Sequence, residues 1–177
     1  MADERGRYIS VADESVLVFV RELAHPIDEV WSAVTEPNRV VAWMPCTVEG
    51  DLTTAGAPLR FVFSEEADVD PSTGEVLVSE KPTRLGYSWG DEEIRIALQE
   101  DGDATTHLEF TNVIPADSIP AAARTAAGWH VCLDELENHL ATGSRTAPGT
   151  SPTPRFRELY EGYLADGVPS GAPFPDA

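Results

Sequence analysis

Ala122-Ala123-Arg124-Thr125-Ala126-Ala127-Gly128-Trp129-His130-Val131-Cys132-Leu133-Asp134-Glu135-Leu136-Glu137-Asn138-His139-Leu140 is the stretch on which the fold turns. Ala122, Ala126, Trp129, Leu133, Leu136 and Leu140 recur at spacings of 4, 3, 4, 3 and 4. That is an apolar stripe along one side of a helix about five turns long. Its first half is Ala-rich and lets other backbone come close, whereas its second half is bulky. The helix is predicted to begin near Ser118 and to stop at Gly143.

Upstream, the pattern changes period. Leu59, Phe61 and Phe63 alternate with Arg60, Val62 and Ser64; Ile94, Ile96 and Leu98 with Arg95, Ala97 and Gln99; Leu108 and Phe110 with His107, Glu109 and Thr111. Alternation with period two describes strands that bury one face. Asp70-Pro71-Ser72-Thr73-Gly74, Gly90-Asp91 and Asp101-Gly102-Asp103 supply turns between them. Earlier still, Val16 to Leu23 is a β-branched and aromatic run of strand length. Pro26 then opens a helix carrying Ile27, Val30, Trp31 and Val34 on one face, and a second helical turn runs from Asn38 to Trp43. A curved sheet needs its concave face filled, and only the long striped helix is large enough to fill it. The expected class is therefore α+β: a helix-grip fold, with a curved antiparallel sheet wrapped around a long C-terminal helix and two short helices after the first strand.

Composition narrows the function. The 177 residues carry 12 Lys+Arg against 31 Asp+Glu, a formal net charge of −19. Such a surface repels phosphate backbones and anionic headgroups, so neither nucleic acid nor membrane is an expected partner. Cys46 and Cys132 make no disulfide framework, the start lacks the apolar run of a secretion signal, and no stretch reaches the ~18 apolar residues of a membrane span. A reduced, cytoplasmic domain is expected. Residues 1–11 read as a flexible N-terminus, 12–142 as the helix-grip domain, 143–155 as a linker rich in Ser, Thr, Pro and Gly, 156–165 as a short amphipathic helix and 166–177 as a loose tail. The helix, with Phe156, Leu159, Tyr160, Tyr163 and Leu164 on one face, either caps its own domain or crosses to a second copy as a homodimer contact.

His25-Pro26-Ile27-Asp28-Glu29-Val30-Trp31 with Trp43, then Gly74-Glu75-Val76-Leu77, Pro82-Thr83-Arg84-Leu85 and Tyr87-Ser88-Trp89, and finally Gly128-Trp129 followed by Leu133, Leu136 and Leu140, occur in this order. Together they resemble the SRPBCC (START-like, Bet v-like) superfamily, and within it the branch of activators of heat-shock-protein ATPase. The resemblance covers roughly residues 12 to 142. It implies that the chain holds an apolar small molecule between sheet and helix, as members of the superfamily commonly do; a few are cyclases or hydrolases. Two features depart from the pattern: the acidic run Ser64-Glu65-Glu66-Ala67-Asp68, and everything after residue 143.

On this reading an apolar cavity opens near the start of the long helix. Its expected lining is Trp43, Phe61, Phe63, Tyr87, Trp89, Ile96, Phe110, Trp129, His130, Leu133 and Leu136. Trp31 reads as core, whereas Trp43, Trp89 and Trp129 read as core or as lining. His130 is either a boundary residue of the helix or a general base oriented by Asp134, four residues on. Cys132 is either a structural thiol or a nucleophile wanting a base. No residue is assigned to catalysis and no cofactor is expected. The four histidines lack His-x-x-x-His spacing, and Asp68-Val69-Asp70-Pro71-Ser72 begins like a calcium loop but has Thr73 and Ser79 at the sixth and twelfth positions. The acidic clusters Glu65-Glu66, Asp91-Glu92-Glu93 and Glu100-Asp101 sit at hairpin ends, as edge protection or as a face for a basic partner. Binding of a hydrophobic small molecule is the leading functional reading. The alternatives are an interaction module similar to the heat-shock-ATPase activators and an enzyme using polar residues of the pocket.

Overall fold

The computed structural model describes residues 5–102, 104–149 and 152–171; the outermost parts of the expected loose ends, Asp103 of one turn, and Thr150 and Ser151 of the linker lie outside the described residues. Eight strands form one antiparallel sheet: β1 (Arg7–Val11), β2 (Glu14–Leu23), β3 (Thr47–Glu49), β4 (Pro58–Val62), β5 (Ser72–Glu80), β6 (Arg84–Trp89), β7 (Glu92–Glu100) and β8 (Thr106–Ile114). Their order across the sheet is β1-β2-β8-β7-β6-β5-β4-β3. Helices α1 (Ile27–Thr35) and α2 (Pro37–Val40) follow β2, α3 (Ala122–Thr142) follows β8, and α4 (Pro154–Ala165) ends the described chain. The fold is the α+β helix grip that period and order predict.

Register places the inward faces in rows. Phe19 pairs with Phe110, Phe110 with Ile96, and Ile96 with Leu85. The next inward row runs Leu17, Asn112, Ile94, Tyr87 and Val76. All of these side chains are buried, and α3 lies over them with Ala126, Trp129, Leu133 and Leu136 beneath it. Each large aliphatic side chain moved fully out of water on this seam stabilises the fold by about 1.5–3 kcal/mol.

Local chemistry explains the element limits. Asp28 and Glu29 sit in the first turn of α1, where the helix dipole favours them. Gly143, at φ 73°, ends α3 and returns its N–H to the carbonyl of His139 (2.8 Å). α3 begins at Ala122 rather than near Ser118, because Ala116–Ala121 forms a 3-10 turn containing Pro120, whose imide cannot donate to a helical ladder. Residues 7–11, expected to be flexible, form β1 instead. Tyr8, Ile9 and Val11 suit a strand, and β2 supplies the template, with the Tyr8 hydroxyl donating to Ser15 Oγ (3.1 Å). The segment after α4 is also held: Val168 is buried and the Ala123 N–H donates to the Pro169 carbonyl (2.9 Å).

Two buried polar groups of the sheet meet α3. The indole N–H of Trp129 donates to Asn112 Oδ1 (3.1 Å), and Asn112 Nδ2 donates to Glu92 Oε2 (2.8 Å). Arg21, on the inward face of β2, sets its Nε 2.8 Å from Glu137 Oε1 and an Nη 3.8 Å from Asp134 Oδ1. Glu92 thus leaves the acidic hairpin end to which its sequence context assigns it and turns partly inward, where burial raises its carboxyl above the usual range against the opposing pull of Asn112.

Two measurements check this packing. An added Cβ on Gly74 would stand 1.8 Å from the Ser88 carbonyl oxygen, so Gly74→Ala is expected to cost about 1–3 kcal/mol, whereas Gly149→Ala, with open space around it, leaves thermal stability unchanged. A carboxyl raised in the fold makes the folded state bind the proton more tightly than the unfolded chain. Its stabilising contribution is complete below the unfolded value and is lost as pH rises through the folded one. Glu92→Gln keeps an acceptor for Asn112 and removes that proton, so its melting temperature is expected to fall less than that of the parent as pH rises from below 4.5 toward neutrality.

Candidate functional site

The aromatic residues expected to line a cavity pack largely on one another. Phe61 stacks on Trp89 at 4.4 Å between ring centroids and lies 6.0 Å from Tyr87; Trp129 stands 4.7 Å from Phe110 and meets Trp89 edge-on at 5.9 Å. Trp43 is buried and donates its indole N–H to the Ala33 carbonyl (3.0 Å). Ile96, Leu133 and Leu136 are buried in the same core. The middle of the grip is filled by these side chains.

Open space lies at its edge. A groove of about 930 Å³ runs along α3 between the connection from β4 to β5 on one side and the start of α4 on the other. Phe63, Trp129 and Phe156 bring aromatic rings to it from the end of β4, α3 and α4 respectively, Phe63 standing just past the strand, and Pro45, Val69 and Val131 add apolar surface. The helix contributes through a second row beside its core stripe: Arg124, Gly128, Val131 and Glu135 recur at spacings of 4, 3 and 4 and all border the groove. Of the residues expected at the site, Phe63 and Trp129 reach this space. Trp43, Phe61, Tyr87, Trp89, Ile96, Phe110, His130, Leu133 and Leu136 stand outside its lining.

α4 completes the groove because of how it docks. Thr153 caps it, its Oγ accepting the Phe156 N–H (3.1 Å), and Pro154 follows at the first helical position. Leu159 and Tyr163 are then buried against the chain's own α3. The Tyr163 hydroxyl lies 2.8 Å from His130 Nδ1 and accepts the Gly6 N–H (2.9 Å). Asp134 joins the two regions: its Oδ1 is 3.4 Å from His130 Nε2, and its Oδ2 is 3.4 Å from Arg155 Nη2. His130 therefore does have Asp134 beside it, as the spacing of four suggests, but it faces α4 and the N-terminal segment and not the groove.

Cys132 does border the groove, yet burial pushes its thiol up, with the neighbouring Cys46 and Glu135 adding to the rise. Cys46 is likewise pushed up by burial, to about 12. Neither offers the thiolate that nucleophilic chemistry needs. Among the described residues no group of three or more His, Cys, Asp or Glu gathers as a metal site, and no helix is long and apolar enough to cross a membrane.

Sequence reasoning missed Val131, Glu135 and Phe156 as groove residues. The second row on α3 was a readable signal. The part played by Phe156 was not, since it depends on where α4 lands.

Comparison with known proteins agrees with this architecture. No curated protein matches the chain. A conserved protein of unknown function from Enterococcus faecalis, EF2215, shares the fold with a TM-score of 0.74 at 19% identity, over 91% of this chain and 89% of that one. CalU16 from Micromonospora echinospora is 26% identical with a TM-score of 0.66, over 91% and 93% of the two chains. DynU16, described as a putative protein in the dynemicin biosynthetic locus, is 28% identical with a TM-score of 0.65, over 76% of this chain and 49% of its own. Residues 24–141 match the family described as activator of Hsp90 ATPase homolog 1-like protein, and with the helix grip built around Trp129 the chain belongs to that family, within the SRPBCC fold type.

Proposed function

We propose that this chain holds a hydrophobic small molecule in the groove along α3, without turning it over. The family and the fold support a ligand-binding or an interaction module. The observation that favours a ligand is the groove itself. At about 930 Å³ it lies within the range of small-molecule sites, and three aromatic rings and three prolines give it flat apolar walls. The setting of one structural neighbour, a biosynthetic locus, fits a small-molecule role. What supports holding over catalysis is the fate of the reactive groups: His130 is turned toward Tyr163, and the thiol of Cys132 is held protonated by burial.

Gly128 gives the direct test. A side chain there projects toward Phe156, with only its Cε2 at 3.9 Å, so Gly128→Leu fills the groove without entering the core. Replacing a helical glycine raises helix propensity by about 1 kcal/mol, so thermal stability is expected to hold or rise. The neutral dye N-phenyl-1-naphthylamine is expected to bind the parent protein and to bind Gly128→Leu at least about tenfold more weakly. Native mass spectrometry of freshly purified protein is expected to show a retained apolar mass that the variant lacks. Equal dye binding by both proteins puts the site elsewhere, and an empty parent that binds no dye favours the interaction reading.

A further inference from the structure

Glu135 stands out along the groove. It is half-buried, it borders the apolar lining between Cys132 and the start of α4, and among the described residues no Lys, Arg or His lies within ion-pair distance of it. Among the described residues its hydrogen-bond partner is the neutral amide of Asn138, whose Nδ2 donates to Oε2 at 3.4 Å. The other two carboxylates of α3 are met by cations: Asp134 by Arg155 and His130, Glu137 by Arg21. Of the groove's two arginines, Arg155 is engaged with Asp134 (3.4 Å) and Glu158 (3.6 Å).

Resting on the groove reading above, we infer that the ligand is a hydrophobic cation: an apolar, ring-bearing body carrying a protonated amine, with the amine at Glu135 and the body against Phe63, Trp129 and Phe156. Three features favour that charge. A carboxylate at the border of an apolar groove gains most from a cation that enters with its own apolar cover. Aromatic faces attract a cation placed over them. The net charge of −19 draws cations toward the molecule and repels anionic amphiphiles such as fatty acids. Arg124, which also borders the groove, is itself engaged within the chain.

Three pyrene probes with one ring system and different heads separate these cases: 1-pyrenemethylamine, 1-pyrenemethanol and 1-pyrenecarboxylate. Binding is measured by fluorescence to the full chain at 0.15 M salt, where fields from distant charges are screened beyond about 8 Å. The amine is expected to bind at least about tenfold more tightly than the alcohol, and the carboxylate more weakly than both. Glu135→Gln is expected to remove most of the amine's advantage and leave the alcohol unchanged. Glu75→Gln, an exposed β5 site that changes net charge equally, is expected to leave all three unchanged. A carboxylate that matches the amine, or an amine advantage that survives Glu135→Gln, overturns the inference. An alcohol that binds without any preference among heads overturns this inference alone, whereas no binding by any probe overturns the groove reading with it.

Discussion

Asn112 and Arg21 point from the sheet into the space that α3 fills, and a buried amide or guanidinium left without partners costs about 1–3 kcal/mol or more. The helix meets both. Trp129 donates to Asn112, and Glu137 with Asp134 faces Arg21. Arg21 pairs in register with Leu108, which stands four residues from Asn112 along β8, about 13 Å at strand rise. Trp129 and Glu137 are eight residues apart on α3, about 12 Å at helical rise. The two spacings match, so one placement of the helix brings a partner to both polar groups at once. Sliding α3 by a turn would strand an amide at one end and a guanidinium at the other. Hydrophobic burial drives the helix onto the sheet, but burial is non-directional; these two contacts select which placement is native.

That placement decides where room is left. With Trp129 held over Asn112, its ring is carried against Phe110 and Trp89, and Trp89 in turn stacks on Phe61. The centre closes. The groove lies where the sheet ends at β4 and β3 and the helix overhangs it, beside Phe63 and Pro45. α4 then turns an overhang into a groove, and its own seat relies on Tyr163, which touches both His130 and the backbone of Gly6. The N-terminal segment is part of this arrangement: Arg5 lies beside Gly162, where an added Cβ would stand 2.6 Å from its Nη1. The region outside the family match therefore forms one wall of the groove.

Much of the fold was legible because burial imposes periods. The stripe on α3 and the alternation in β4, β7 and β8 report directly which side faces the core, and Gly143 marks the helix end through its left-handed conformation. β1 was not legible, since a short, mostly exposed strand gains its stability from a neighbour and not from its own composition. Glu92 shows the same limit in a side chain. Between Asp91 and Glu93 it reads as surface, and only the pairing of β7 with β8 brings it to Asn112. Of the residues the sequence offers as a lining, Trp129 and Phe63 border the groove, but aromatic residues on inward faces carry no mark that separates a ring lining space from a ring filling it. That distinction depends on how rings from Phe61, Trp89 and Trp129 fit together, a property of three segments jointly.

The shortage of cations gives Glu135 its meaning. A chain with 12 Lys+Arg and 31 Asp+Glu cannot pair every carboxylate, and in water an unpaired one is harmless. Three arginines pair where elements pack, Arg21 under α3, Arg155 between α4 and Asp134 and Arg5 beside Asp166, while Arg60, Arg84 and Arg95 pair with exposed carboxylates of the sheet. Glu135 lies next to two of these arrangements and belongs to neither. Its neighbours on the helix are apolar or already engaged, so a cation arriving with an apolar body finds there a charge that the folded chain has not used.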